Sequence, residues 1–144
     1  MRLRKVFLSM LFVAFFLWLH FWLRAWMVAT HDDTTLCNPG GPFGVIFPVW
    51  LLIAFSCGIV LLLLGAWLKE KGVVFGWLWL LILSGGLGNL LERILFGCII
   101  DYVALPFFPV FNLADVLLTI GTIGILWGAR SKKQEKDSLN IRNE

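Results

Sequence analysis

Two aspartates, Asp101 and Asp115, stand out in a chain that is otherwise mostly apolar, and three other polar residues accompany them within the stretch 84–119: Asn89, Arg93 and Asn112. An ionisable side chain at membrane depth is costly, so it usually faces a polar interior and indicates a working site. The two aspartates flank a short link between two hydrophobic segments, which suggests that they meet at one end of a helix bundle. A pair of carboxylates that shares one proton activates water without a metal.

Peptide hydrolysis is one reaction that such a pair performs, because it needs an activated water and a proton for the leaving amine. One aspartate, ionised, would act as the base, and the other, protonated, would act as the acid. The sequence offers no rival nucleophile, since Ser56 and Ser84 have no adjacent His or Lys, and neither histidine is spaced for a metal. We therefore expect neither a metal nor an organic cofactor.

Hydrophobic segments must position these residues. A hydrophobic fraction of 60% and a mean hydropathy of +0.88 exclude an ordinary soluble domain. Four apolar runs are long enough to cross a hydrocarbon core of about 30 Å. The sequence therefore predicts an all-α membrane protein, one integral membrane domain over 1–144, with four transmembrane helices at about 6–28, 45–68, 73–91 and 110–127 and a small extracytoplasmic loop or strand region between the first two.

The basic residues predict the orientation of these helices. They lie before the first run, between the second and third, and after the fourth: Arg2, Arg4, Lys5, Lys69, Lys71, Arg130, Lys132 and Lys133. This positive-inside distribution places both termini in the cytoplasm and the aspartates near the outer face. The net charge of +3 thus reflects topology and does not indicate a nucleic-acid partner. The charged segment 130–144 has no apolar pattern and is predicted to be a disordered cytoplasmic tail.

Three short motifs in this stretch resemble those of signal peptidase II, the prolipoprotein signal peptidase family. The segment 86–93, GLGNLLER, resembles the family's G-x-x-G-N-x-x-D-R block. The segment 97–102, GCIIDY, resembles its G-x-V-x-D-F block, and 111–115, FNLAD, its F-N-x-A-D block. Three motifs in order within about thirty residues form a specific signal, which no single one of them would give.

The resemblance implies an aspartic endopeptidase of the bacterial cytoplasmic membrane that removes signal peptides from diacylglyceryl-modified prolipoproteins, cleaving just before the lipidated cysteine. Its partners would be that substrate and membrane lipids, and it would act as a monomer. Asp101 and Asp115 match the family's catalytic pair. The matched supporting or substrate-binding positions are Asn38, Gly88, Asn89, Arg93 and Asn112, the first within 38–44, NPGGPFG, which resembles the family's N-x-G-x-x-F segment.

Three positions depart from the family pattern. His20 and Arg24 stand where the family usually has Asp and Lys, and Glu92 replaces an aspartate beside Arg93. His20 and Arg24 are four residues apart and so share one helical face. Two interpretations stay open at this stage: the pair packs and snorkels to lipid headgroups, or it contacts the polar part of a lipid-bearing substrate.

Two further questions stay open from the sequence. Cys37 and Cys98 both fall on the predicted outer side, but the geometric demand on a disulfide is strict and nothing in the sequence supports pairing. Cys57 lies within an apolar run and is expected to pack there. The alternative function is a small membrane carrier or channel that uses Asp115 as a proton or cation site, although such sites usually lie near the midplane and in repeated folds.

Overall fold

The chain forms a bundle of long helices in the computed structural model, which describes residues 2–30, 36–40 and 47–142. In these residues the helices are α1 (Arg2–Thr30), α2 (Val49–Lys69), α3 (Val73–Phe96) and α4 (Leu113–Arg142). Each contains a stretch that is long and apolar enough to cross a membrane. The predicted four-helix membrane fold is confirmed.

Proline and glycine residues set several helix ends. Pro48 is the N-cap of α2, where its missing N–H costs little. Gly97 ends α3 in the left-handed region at φ 77°, and its N–H donates to the carbonyl of Arg93. This end lies five residues beyond the predicted one, so Glu92 and Arg93 are helical and project from the same rigid element as Asn89.

The central element is α3. Half of its membrane-crossing stretch is buried, against 6% to 17% in the other three helices. Close approach to α4 depends on glycines on both helices. A Cβ at Gly85 would collide with the carbonyl oxygen of Ala114, and one at Gly121 would lie 2.8 Å from the carbonyl oxygen of Leu78. This contact brings the start of α4 against the middle of α3.

A small antiparallel sheet joins two links at one end of the bundle. Strand β1 (Leu36–Asn38) follows α1, and strand β2 (Ile99–Asp101) follows α3. Their register pairs Leu36 with Asp101 and Asn38 with Ile99. The small strand region predicted after the first helix is confirmed, and its partner strand comes from the link between α3 and α4.

A disulfide connects β1 to the residue that directly precedes β2. Cys37 and Cys98, whose pairing the sequence left unsupported, are bonded with a Cα–Cα separation of 5.6 Å. The strand register explains this finding, because it places Cys37 opposite Ile100, close to Cys98 at the start of the same link. The bond closes a separation of 61 residues, and in the chain-entropy model it stabilises the fold by up to about 4 kcal/mol.

The ends of the fourth helix differ from the sequence-based expectation. It begins at Leu113 and not at Val110, because residues 106–112 contain two prolines and the N-cap Asn112. It continues through the charged tail to Arg142, where we predicted disorder. Lys, Glu and Gln are good helix formers and extend the helix of the span without a break.

Most of the 38–44 segment and the predicted start of the second span at Val45 fall in 41–46, outside the described residues.

Candidate active site

Asn112 and Asp115 form a reciprocal cap at the start of α4. The Asp115 N–H donates to Oδ1 of Asn112 at 3.2 Å, and the Asn112 N–H donates to Oδ2 of Asp115 at 3.2 Å. This is the capping-box arrangement, with the N-cap residue and the third helical residue satisfying each other's backbone donors. A carboxylate in this position also interacts favourably with the helix N-terminus. The bonds that begin the helix therefore also fix the Asp115 carboxylate.

The Asn112 side chain links the two aspartates. It is fully buried, and its Nδ2 donates to Oδ1 of Asp101 at 3.0 Å and to Oδ1 of Asn89 at 3.2 Å. Asn89 in turn donates from Nδ2 to the free Oδ1 of Asp115 at 2.9 Å. Asp101, at the end of β2, and Asp115, in the first turn of α4, are thus held in one network, as their positions at the ends of two apolar segments predicted.

Asn38 completes the surroundings of Asp101 from the other strand. Its Nδ2 donates to Oδ2 of Asp101 at 3.2 Å, while its Oδ1 accepts the Gly40 N–H at 3.0 Å. Because a backbone N–H needs an acceptor, the Gly40 contact fixes which end of the amide is oxygen and so directs the NH₂ group to the carboxylate. Both oxygens of Asp101 therefore accept a hydrogen bond from an asparagine.

The Asp101 carboxyl is poised to hold a proton. Burial raises its pKa to about 6, and the negative charges of Asp115 and Glu92 raise it as well. The hydrogen bonds from Asn38 and Asn112 oppose this shift, because they stabilise the ionised form. A carboxyl that titrates near neutral pH beside a second carboxylate is the arrangement that acid–base chemistry requires.

Glu92 forms a second buried cluster beside the site. Its side chain is fully buried, with Oε1 lying 2.8 Å from Nε2 of His20 and Oε2 lying 3.5 Å from Nε of Arg24. The same Oε2 accepts the Ile100 N–H at 2.7 Å, directly before Asp101 in the chain. The Arg24 guanidinium lies over the Phe96 ring, 3.7 Å from its centroid. His20 and Arg24 therefore do more than pack and snorkel: they hold the acidic side chain that orders β2.

The remaining predicted site residues support this framework. An Nη2 donor of Arg93 lies 3.5 Å from the carbonyl oxygen of Gly40, and its charge interacts with those of both aspartates. Gly88 faces His20 and Ala114, since a Cβ there would lie 3.2 Å from Cδ2 of His20 and 3.4 Å from the Ala114 Cβ. The structure thus places Gly88 at a packing contact between helices and not on the network around the aspartates.

Two features of the site were not recognised from the sequence. One is the contact of His20 with Glu92, which are 72 positions apart in the chain. Each is an ionisable residue in an apolar helix, and this shared feature could have suggested that they pair. Tyr102, the chain's single tyrosine, accepts the Leu113 N–H at its hydroxyl oxygen at 3.0 Å and so helps to cap α4.

Within the described residues, no group of three or more His, Cys, Asp or Glu could hold a metal ion.

The chain is similar in sequence to a known family of membrane peptidases. The family model for signal peptidase (SPase) II matches residues 13–130, which includes both aspartates. The lipoprotein signal peptidase of Moorella thermoacetica is 33% identical over 97 residues, covering 65% of each chain. That of Pseudomonas syringae pv. tomato is 33% identical over 120 residues, covering 74% of this chain and 69% of the relative. The chain thus spans about two thirds of the length of these relatives.

The fold is shared with a solved structure. A bacterial membrane enzyme determined by the in meso method at 2.3 Å superposes with a TM-score of 0.79 and 22% identity, covering 89% of this chain and 90% of that one. At this identity the likeness concerns the fold alone. The family match covers more than half of the chain and contains the network of aspartates and asparagines, so the chain belongs to the signal peptidase II family.

Proposed function

We propose that this protein is an aspartic endopeptidase that removes signal peptides from diacylglyceryl-modified prolipoproteins, cutting before the lipidated cysteine. One observation carries the proposal: Asn112 contacts Asp101 through its side chain and Asp115 through both side chain and backbone. This arrangement holds two carboxylates beside each other in fixed orientations. Family membership supplies the class of substrate. We propose that it acts as a monomer.

The two aspartates would divide the acid–base work. Below about pH 6 the pair holds one proton, mainly on Asp101, because burial raises the pKa of that carboxyl to about 6. The ionised partner takes a proton from water as the water attacks the scissile carbonyl carbon. The protonated carboxyl then delivers its proton to the nitrogen of the leaving amine. Asn38, Asn89 and Asn112 keep the carboxylates oriented through both steps.

We propose that an apolar groove formed partly by neighbours of the two aspartates in the chain takes the lipid or an apolar segment of the substrate. It has a volume of about 490 Å³. Its lining comes from α1, the link after β2 and the first turns of α4: Leu23, Met27, Tyr102, Val103, Ala104, Leu113 and Val116. Tyr102 adjoins Asp101 in the chain, and Val116 adjoins Asp115, although neither aspartate itself lines the groove. An apolar wall with a few fixed polar groups is typical of a binding site.

We place the site at the outer face of the bacterial inner membrane, with both termini in the cytoplasm. The distribution of basic residues supports this orientation. The disulfide between Cys37 and Cys98 supports it independently, because disulfides persist in oxidising compartments outside the cytoplasm. At this face the end of a membrane-embedded signal peptide emerges towards the aspartates.

The location of the aspartates argues against the carrier alternative. Asp101 lies in the link after α3, and Asp115 lies in the first turn of α4. Both are therefore at one end of the bundle, whereas transporter sites usually lie near the midplane. The relatives found by comparison are signal peptidases and give no support to a carrier.

The function is tested with purified protein and a synthetic precursor carrying a diacylglyceryl cysteine. We expect one cut, directly before that cysteine, giving a lipidated fragment and a free signal peptide that mass spectrometry identifies. The same peptide without the lipid is the matched control and should be cut far more slowly. No cut in the lipidated precursor, or a cut elsewhere, would exclude the proposed activity.

The cleavage rate should depend on pH through the shared proton. The pKa of Asp101 is raised to about 6, so the form with one proton on the pair is present below this value and is lost as the pH rises through it. We expect kcat/KM to fall about tenfold per pH unit on the alkaline side, measured between about pH 5 and pH 9. A rate that continues to rise towards pH 9 would contradict an acid role for Asp101.

Thiol labelling tests the orientation. In a variant with Cys57→Ala, the remaining cysteines are bonded to each other and do not react. A cysteine introduced at Leu105, in the exposed link before α4, should then react with a membrane-impermeant maleimide in spheroplasts. A cysteine at Lys71, between α2 and α3, should react only after lysis. The reverse labelling pattern would place the aspartates in the cytoplasm.

A further inference from the structure

Among the described residues, the segment that carries Asn38 is held mainly by its partner strand and by the contact of Arg93 with the Gly40 carbonyl oxygen. Strand β1 is only three residues long, and Leu36 and Cys37 are exposed. Its main packing contact is β2. A two-stranded pairing of this length is marginal in water without further support. Backbone pairing alone therefore does not explain how Asn38 stays on the Asp101 carboxylate.

The disulfide supplies the missing constraint next to the site. Cys37 directly precedes Asn38, and Cys98 lies three residues before Asp101. The S–S bond thus joins the two segments that carry the Asn38 donor and the Asp101 acceptor, which are 3.2 Å apart. On the Asp101 side the backbone is already fixed, because Glu92 accepts the Ile100 N–H. The covalent bond therefore acts mainly on the position of β1.

We propose that the Cys37–Cys98 disulfide is a positioning element of the active site: it keeps Asn38 hydrogen-bonded to Asp101, and the cleavage rate therefore depends on whether this bond is intact. The inference rests on the proposed function, since it concerns the rate of that reaction. Asp101 becomes ionised as it gives its proton to the leaving amine, and a hydrogen bond to a charged group has an effect of roughly ten- to a hundredfold. Loss of the Asn38 contact should therefore lower kcat by a factor of this size.

The accessibility of the bond makes it responsive to a dithiol. Cys37 is exposed, whereas Cys98 is buried with 7% of its surface accessible. A thiolate of the reductant would attack the Cys37 sulfur and release Cys98 as a thiolate, and the second thiol would resolve the mixed disulfide. Two electrons and two protons pass to the protein, which gains two thiols, while the dithiol becomes a cyclic disulfide. An oxidant restores the original bond.

The test uses the full chain with Cys57→Ala, assayed on the lipidated precursor when oxidised, after dithiothreitol, and after removal of dithiothreitol with reoxidation. We expect kcat to fall roughly ten- to a hundredfold on reduction and to recover on reoxidation, with KM changed by less than about threefold. A variant with Cys37→Ser and Cys98→Ser should have the reduced rate and ignore dithiothreitol. Recovery and the selective loss of kcat separate positioning from general destabilisation.

The Asn38→Ala variant decides whether the disulfide acts through Asn38. When oxidised it should cleave as slowly as the reduced parent, and reduction should lower its rate by less than about twofold, because residues acting as one unit are not additive. Reduction that leaves the parent's kcat within about twofold overturns the proposal. A further fall in kcat of roughly ten- to a hundredfold when the Asn38→Ala variant is reduced also overturns the proposal.

Hydrogen exchange gives a readout that does not need cleavage. In the intact protein the backbone amides of Leu36 and Asn38, which the strand register places opposite Asp101 and Ile99, should exchange slowly, and after reduction they should exchange much faster. Unchanged exchange on reduction would overturn the positioning role even in a preparation without activity. An oxidised parent that leaves the lipidated precursor uncut counts against the proposed function instead, so the two failures are distinguishable.

Discussion

Replacing either aspartate with asparagine is expected to lower the cleavage rate of a lipidated precursor by at least about a thousandfold. Asparagine keeps the size and an acceptor oxygen, so the bonds from Asn112 to position 101 and to position 115 can persist. In the mechanism we propose, the substitution removes the shared proton and the negative charge that activates water, and acid–base catalysis of this kind contributes about 10²–10⁴-fold for each group. Single-turnover cleavage measures the effect.

These substitutions should leave the fold intact. Burial raises the pKa of Asp101, which means that its ionised form is disfavoured by its surroundings, and a neutral amide there should not destabilise the protein. At Asp115 the weakened cap costs about 1 kcal/mol. The matched control is Glu70→Gln, in the turn between α2 and α3, which should cleave normally. If thermal unfolding shows that the inactive variants have lost their structure, the comparison says nothing about catalysis and the account loses this support.

The second large effect is expected at the buried cluster of Glu92. Replacing His20 with aspartate, the residue typical of the family at this position, would place a second carboxylate where Nε2 now lies 2.8 Å from Oε1 of Glu92. A buried charge that is left uncompensated costs about 3–5 kcal/mol, and two adjacent carboxylates at this buried position would leave one in that state. We expect a loss of stability of this size, measured by unfolding in detergent, together with a lower cleavage rate as Ile100 and β2 lose their support.

The double variant with His20→Asp and Glu92→Gln is the matched control. It removes one of the two carboxylates and keeps an amide oxygen that can accept the Ile100 N–H. Most of the lost stability should return, since interacting residues are strongly non-additive. If His20→Asp alone unfolds at the wild-type temperature, or if the double variant is less stable than the single one, Glu92 is not held as we describe.

The sequence predicted those parts of the site that depend on local spacing. Asn112 and Asp115 are three residues apart at the start of a long apolar run, which placed them together at one end of the bundle. Their role as the capping box was not predicted, because the helix was expected to begin at Val110 and begins at Leu113. Asp101 and Asn89 were found because polar residues are rare in the spans and match family motifs. The four helices were predicted from apolar runs of sufficient length. Several of their observed ends differ from the predicted ones by several residues, because proline, glycine and the charged tail determine where these helices begin and end.

Contacts between distant segments could not be predicted in this way. The pairing of His20 with Glu92 depends on how α1 packs against α3, which the small residue Gly88 permits. Pairing of Cys37 with Cys98 depends on the register of two three-residue strands, and a shift of one residue would turn the side chains to opposite faces. Both contacts are properties of packing and register, and single residues in the sequence carry little information about either.

The most direct measurement compares single-turnover cleavage of the lipidated precursor by the wild type, Asp101→Asn, Asp115→Asn and the variant carrying both changes. If the two carboxylates act as one unit around a shared proton, each single change removes nearly all of the catalysis and the double variant is hardly slower than either one. We expect the three variants to have similar residual rates and normal membrane levels. A single variant within about tenfold of the wild type, or a double variant slowed by the product of the two single effects, would contradict it.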